Sequence, residues 1–150
     1  MVKKSDSTET SLHKNFVTPI VRLSYAHVWE PSELPNGVMA WTVAGLIEKT
    51  NKEGIKELQA AIKSAAISFF GAGKIPKSFQ NPLHNGDEKD EPTYEGMYYL
   101  NAKNTKWAPD IVNKAAKPIL DQSEVYSGCY ARLLVNFYGY DKAGKKGVGV

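Results

Sequence analysis

The 150 residues suit one domain, and 42% apolar with 23% charged residues is the composition of an ordinary globular chain rather than a disordered one. No apolar run approaches the ~18 residues of a membrane span. The opening Met1-Val2-Lys3-Lys4-Ser5-Asp6 leads into no signal core, and the lone Cys129 forms no internal disulfide, so a reducing cytoplasm is expected. The net charge of +3 is unevenly spread: Asp87, Glu88, Asp90 and Glu91 surround a single Lys89, whereas after Tyr130 the cations Arg132, Lys142, Lys145 and Lys146 face only Asp141. A basic excess beside aromatic residues is the footprint a polyanion partner requires.

Residues 1–15, rich in Ser, Thr, Lys and Glu without periodicity, read as a flexible tail ahead of a single domain over 16–150. Phe16 to Trp29 is strand-like, with Val17, Val21, Leu23, Tyr25 and Trp29 on one parity and Arg22, Ser24 and Glu30 on the other or beyond. Pro31, Pro35, Asn36 and Gly37 mark a turn, and Val38 to Ile47 forms a second strand of an antiparallel meander. Thr50-Asn51-Lys52-Glu53 has the pattern of a capping box. Ile55, Leu58, Ile62, Ala65 and Phe69 then follow at helical spacing, predicting an amphipathic helix that plugs a β core and ends near Gly71 and Gly73.

Lys74 to Pro92 is a long polar connection carrying the acidic run. Gly96 to Lys103 is a third strand whose Tyr98, Leu100 and Ala102 face inward while Tyr99, Asn101 and Lys103 face solvent. Trp107 falls in a loop, either tucked under a turn or offered to a base, and Ile111-Val112 with Pro118-Ile119-Leu120 suggests a small hairpin.

From Cys129 to Tyr140 the chain reads as one long strand without proline. Its odd positions Cys129, Ala131, Leu133, Val135, Phe137 and Gly139 are all apolar or small and form the core row. Its even positions Tyr130, Arg132, Leu134, Asn136, Tyr138 and Tyr140 combine three phenols, a guanidinium and an amide with one leucine. Rings stack on bases and arginine neutralises phosphate, so this row suits single-stranded nucleic acid. An exposed strand whose tyrosines only pack on their neighbours is the competing reading. Asp141 to Lys146 forms a basic turn, and Gly147-Val148-Gly149-Val150 begins another strand.

Gly71-Ala72-Gly73-Lys74 lacks the spacing of a phosphate-binding loop and follows a helix instead of preceding one. His13, His27 and His84 have no zinc spacing to one another or to Cys129, and no Gly-x-Ser-x-Gly elbow occurs. The acidic run is the one place with carboxylates for a divalent cation, but a run of like charge belongs in water. No catalytic residue, metal or cofactor is expected.

Taken together, Glu124-Val125-Tyr126-Ser127-Gly128-Cys129-Tyr130-Ala131-Arg132, Asn136-Phe137-Tyr138 and Tyr99-Leu100-Asn101-Ala102-Lys103 resemble the bacteriophage single-stranded DNA-binding protein family, formerly a domain of unknown function. Arg22-Leu23-Ser24-Tyr25, Lys74-Ile75-Pro76, Pro82-Leu83, Gly86-Asp87-Glu88 and Gly144-Lys145-Lys146-Gly147 add weaker support, so the resemblance covers about residues 20–150. It implies a mainly β OB-fold, a five-stranded Greek-key barrel with one principal helix, that coats single-stranded DNA in phage replication and recombination without sequence preference. It also implies a monomer or homodimer in the cytoplasm of the infected bacterial host, with phage replication proteins as further partners, no membrane, and relatives that continue beyond Val150.

The residues expected to carry binding are Tyr130, Arg132 and Tyr138, with Tyr99, Asn101, Lys103 and Trp107 as a second platform and Lys142, Lys145 and Lys146 on the adjoining turn. The rival readings are a metal-dependent accessory nuclease using the acidic run and a protein-interaction module using the aromatic face.

Overall fold

The computed structural model describes residues 13–142 and 144–150. Eight strands form two antiparallel sheets. Strands β1 (His13–Val17), β7 (Leu134–Lys142) and β8 (Lys145–Gly149) make a three-stranded sheet in the order β1-β7-β8. The second sheet has the order β4-β5-β3-β2-β6, from β2 (Val21–Glu33), β3 (Met39–Glu48), β4 (Leu83–Asn85), β5 (Met97–Asn104) and β6 (Tyr130–Ala131). The α-helix α1 (Lys52–Phe70) follows β3. The expected tail falls largely on residues 1–12, which lie outside the described residues.

The expectation of a closed five-stranded barrel is corrected here, because the ladders do not close into one ring. Two strands expected to be continuous are broken at a shared corner. Pro19, which lacks a donor for a ladder, separates β1 from β2, and Arg132-Leu133 separates β6 from β7. Thr18 is wholly buried there: its N–H donates to the Leu133 carbonyl at 2.9 Å, and its Oγ1 accepts from the Leu133 N–H at 2.9 Å. Each chain segment thus leaves one sheet and enters the other at the same point. On the opposite side Gln80 docks on the edge of β8, its N–H donating to the Lys146 carbonyl and its carbonyl accepting from Val148.

The core collects Val21, Leu23, Val43, Ile47 and Leu100 from the larger sheet, Val135, Phe137 and Val148 from the smaller, and Ile55, Leu58, Ile62 and Ala65 from α1. Each large apolar side chain so buried contributes about 1.5–3 kcal/mol. The helix covers the odd-numbered face of β7, with Phe69 against Gly139, so the predicted plug and the predicted core row hold. The predicted capping box does not form. Asn51 caps instead, its Oδ1 accepting the Gly54 N–H at 3.1 Å, while the Thr50 hydroxyl turns back to Glu48. Gly71 ends the helix at φ 100°, a conformation that suits a residue without a Cβ. The meander of β2 and β3, the outward Asn101 and Lys103, and the small hairpin joined by the Val112–Pro118 bridge match expectation.

Candidate nucleic-acid interface

Side chains of directly paired strand residues lie on the same face of a sheet. Register therefore defines a row across all five strands of the larger sheet: Tyr130 pairs with Arg22, Arg22 with Leu46, Leu46 with Tyr99, and Tyr99 with His84. The next row is Ser24, Ala44 and Asn101, and the one after it His27, Thr42 and Lys103. At the usual strand spacing the first row is about 19 Å long. Since Val21, Leu23, Val43 and Leu100 alternate with these positions into the core, this is the outer face.

A bulge between Ser24 and His27 adds one residue to β2. Tyr25 stands in it at φ 48°, which ends the predicted parity of Val21, Leu23 and Tyr25 and leaves the Tyr25 ring 54% exposed. Its hydroxyl donates to Glu91 Oε2 at 2.9 Å, and this carboxylate raises the phenol pKa. Tyr94 lies buried beneath the same region with its O–H donating to Ser24 Oγ at 2.9 Å. The ring of Tyr99 meets Tyr94 edge-on and the His84 imidazole at a 31° tilt, each with a 5.0 Å centroid separation. Burial, and then the nearby Lys89 ammonium, holds the His84 pKa below its usual value.

Of the residues predicted for binding, Tyr99, Asn101, Lys103 and Tyr130 share this outer face, and Tyr130 is 68% exposed. Arg132 falls instead at the corner between the sheets, where Nη1 donates to the Thr18 carbonyl at 3.2 Å. Tyr138 belongs to the smaller sheet, with Tyr138 opposite Gly149 and Tyr140 opposite Gly147. The Tyr140 hydroxyl also donates to Gln80 Oε1 at 3.0 Å.

A groove of about 450 Å³ joins the two sheets, lined among others by Asn101, Lys103, Tyr138, Tyr140 and Val148. Lys142 and Lys145 pair at the end of the β7–β8 hairpin and Lys146 pairs with Asp141, all with exposed side chains. Trp107 follows β5 in a loop held by Asn104, whose Oδ1 accepts from the Lys106 and Trp107 N–H groups, and its indole is 67% exposed.

Sequence reasoning missed Arg22, Tyr25, His84 and Lys89 as members of this face. Alternation around Val21 and Leu23 carried a signal for Arg22, whereas His84 reaches the row only through the pairing of a three-residue strand. The acidic run is not a free loop. Asp87 accepts from Lys49 Nζ at 2.5 Å and from the Gly96 N–H at 2.8 Å, and these two bonds hold its carboxyl below the usual range. Among the described residues, no group of three His, Cys, Asp or Glu side chains is arranged to hold a metal, and no helix is long and apolar enough to cross a membrane.

Residues 14–150 match the family model described as the Enterobacter phage Enc34 single-stranded DNA-binding protein. The chain belongs to this family. The putative protein p50 of Acyrthosiphon pisum secondary endosymbiont phage 1 is 34% identical over 135 residues, spanning 83% of this chain and 73% of that protein.

Solved structures share the fold, three of them as follows. The single-stranded DNA-binding protein from bacteriophage Enc34 in complex with single-stranded DNA gives a TM-score of 0.69 at 22% identity, over 90% of this chain and 80% of that one. A C-terminal truncation of the Enc34 protein gives 0.72 at 19% identity over the same shares. The bacteriophage T7 single-stranded DNA-binding protein gp2.5 gives 0.59 at 13% identity, over 92% of this chain and 82% of that one.

Proposed function

We propose that this family member binds single-stranded DNA without sequence preference, as a coating protein of phage replication and recombination and not as an enzyme. The observation that carries the reading is the row from Tyr130 to His84, which sets the open Tyr130 phenol beside the Arg22 guanidinium and, past the buried Leu46, the Tyr99 and His84 rings on the same sheet face. A single strand offers base faces to open rings and phosphates to cations, and stacking accepts any base because each has a π face. Family membership supports the same ligand.

Tyr130 is the base platform at one end. Asn101 and Lys103 lead the strand into the groove toward Tyr138, Trp107 stacks beyond the end of β5, and Lys142, Lys145 and Lys146 neutralise phosphate past Tyr138. Arg132 is a corner residue first and reaches phosphate only if its bond to Thr18 opens. The two sheets are an OB-type barrel opened along the groove. The passage of both chain segments from one sheet to the other at the Thr18–Leu133 corner supports this, since a small barrel needs segments shared between its halves.

Titration of fluorescently labelled oligonucleotides of several sequences tests the proposal. Comparable affinity for length-matched sequences is expected, and a hundredfold preference for one of them would overturn it. The nuclease alternative predicts magnesium-dependent cleavage of the same oligonucleotides. It is disfavoured because Asp87 and Glu91 are committed to Lys49, Gly96 and Tyr25.

A further inference from the structure

We propose that His84 and Lys89, both held against the Tyr99 ring, form a subsite for one backbone phosphate of a bound single strand. This rests on the single-stranded DNA reading and adds to it two residues outside the aromatic strand.

Lys89 is the one cation in a run of four carboxylates, and a solvated lysine there would turn to its neighbours or to water. Instead its ammonium lies over the outer face, 5.2 Å from the ring centre of Tyr94, 5.6 Å from Tyr99 and 5.8 Å from Tyr25. The electron-rich faces of three phenols attract it there. Among the described residues its carboxylate partner is Glu91 at 3.6 Å, beyond hydrogen-bond length, and that carboxylate also accepts the Tyr25 hydroxyl. The turn that delivers Lys89 is fixed separately, by Asp87 bonded to Lys49 and Gly96 and by Asn85 Oδ1 accepting the Asp87 N–H at 3.0 Å.

The His84 imidazole also packs against the Tyr99 ring, from the neighbouring strand. Tyr99 is therefore surrounded by an imidazole, a phenol edge and an ammonium, leaving it poorly placed to stack a base and well placed to hold two nitrogen donors apart. Donors and positive charge select an anion, and on this face the anion a single strand offers is its phosphodiester.

The titratable and charged groups around His84 include Lys89 with its partner Glu91, the phenols of Tyr94 and Tyr99, and Tyr25 and Lys103 in the same groove. Burial, and after it the Lys89 charge, disfavours a protonated His84 in the free protein. A phosphate bound beside both groups offsets the Lys89 charge and favours the imidazolium, so binding takes up a proton at His84 and strengthens as pH falls.

The test measures anisotropy of a labelled oligothymidylate over a salt series, at several values between about pH 6 and 8.5, for the wild type, Lys89→Gln, Lys89→Arg and His84→Gln, with melting curves as a check on folding. Lys89→Gln should weaken binding and reduce the salt slope by about 0.7, the increment for one phosphate contact on a single strand. Lys89→Arg should restore the slope.

Wild-type affinity should rise toward low pH by at most about tenfold per unit, the limit for one linked proton, and His84→Gln should remove that share of the rise. His27 stays in every variant as an internal reference. Unchanged or tighter binding by Lys89→Gln would show that the lysine only covers the rings, and a pH response untouched by His84→Gln would remove the histidine; either result overturns the subsite. Absence of wild-type binding to any oligonucleotide is a different failure, that of the single-stranded DNA reading.

Discussion

The ring of Tyr138 lies where a side chain on Gly149 would stand: a Cβ built on that glycine falls 2.5 Å from Tyr138 Cζ. The glycine lets the ring lie against the β8 backbone, an arrangement in which an aromatic residue covers a cross-strand glycine. Gly149→Ala should push the far end of the ring aside at little cost in stability and weaken DNA binding about as much as Tyr138→Ala. Gly139→Ala should do the reverse, since its methyl meets the root of the Phe69 side chain on the helix and overpacking there costs about 1–3 kcal/mol. Urea denaturation and oligonucleotide titration of the two variants give the comparison.

Tyr130 and Phe137 should separate binding from folding. Tyr130→Ala removes an open ring and should cost about 1–3 kcal/mol of binding with an unchanged melting temperature. Phe137→Ala empties a fully buried position and should cost about 3–5 kcal/mol of stability. If Tyr130→Ala unfolds the protein while Phe137→Ala leaves stability intact, the assignment of the two faces is wrong.

Binding should weaken with salt, with a slope of log affinity on log salt near about −3 to −4 for roughly four to six phosphate contacts. Replacing Lys142, Lys145 and Lys146 together by glutamine should flatten that slope and leave the melting temperature nearly unchanged, because all three side chains are exposed. An unaltered slope in the triple variant would move the phosphate contacts away from the hairpin.

The Asp87 carboxyl is lowered first by the Gly96 N–H and then by Lys49. A folded-state pKa below the unfolded one means that its contribution is fully present above the ordinary carboxylate range and disappears as pH falls through the folded value, below about pH 4. Asp87→Ala should therefore lower thermal stability at neutral pH and leave the two proteins converging in strongly acidic buffer, as scanning calorimetry across pH would show.

Trp107 offers a direct optical report. Its indole is exposed in a loop, whereas the half-buried Trp29 donates its Nε1–H to the Val125 carbonyl at 3.1 Å. Addition of an oligonucleotide should quench tryptophan emission, and Trp107→Phe should abolish most of the change without altering the melt. Quenching that persists in full would place the DNA away from the end of β5.

Much of this was legible in the sequence because period-two alternation survives wherever a strand has one buried face. The rows of β5 and of Cys129 to Tyr140 followed from it, down to the buried Val135 and Phe137. The break at Arg132-Leu133 was not legible, since neither residue is a chain breaker; Thr18, far away in sequence, imposes it. The row joining Tyr130 to His84 depends on the register of four separate pairings, and register is a tertiary fact. The helix start was misread by one residue because Thr50 and Asn51 are both good caps, and only the geometry chose between them.

The corner at Thr18 also sets the order in which the molecule can be made. Among the described residues, strand β1 pairs with β7 alone, His13 with Tyr138 at one end, and the start of β2 meets β6, more than a hundred residues later in the sequence. During synthesis the segment from β2 through α1 to β5 can form its local pairings early, while β1 and the outer edge of β2 wait for the last part of the chain. Until it arrives, that edge carries unpaired backbone and the row lacks Tyr130. A partly made chain is therefore exposed to edge-to-edge aggregation and has no complete surface with which to capture DNA, so ligand binding is reserved for the finished protein.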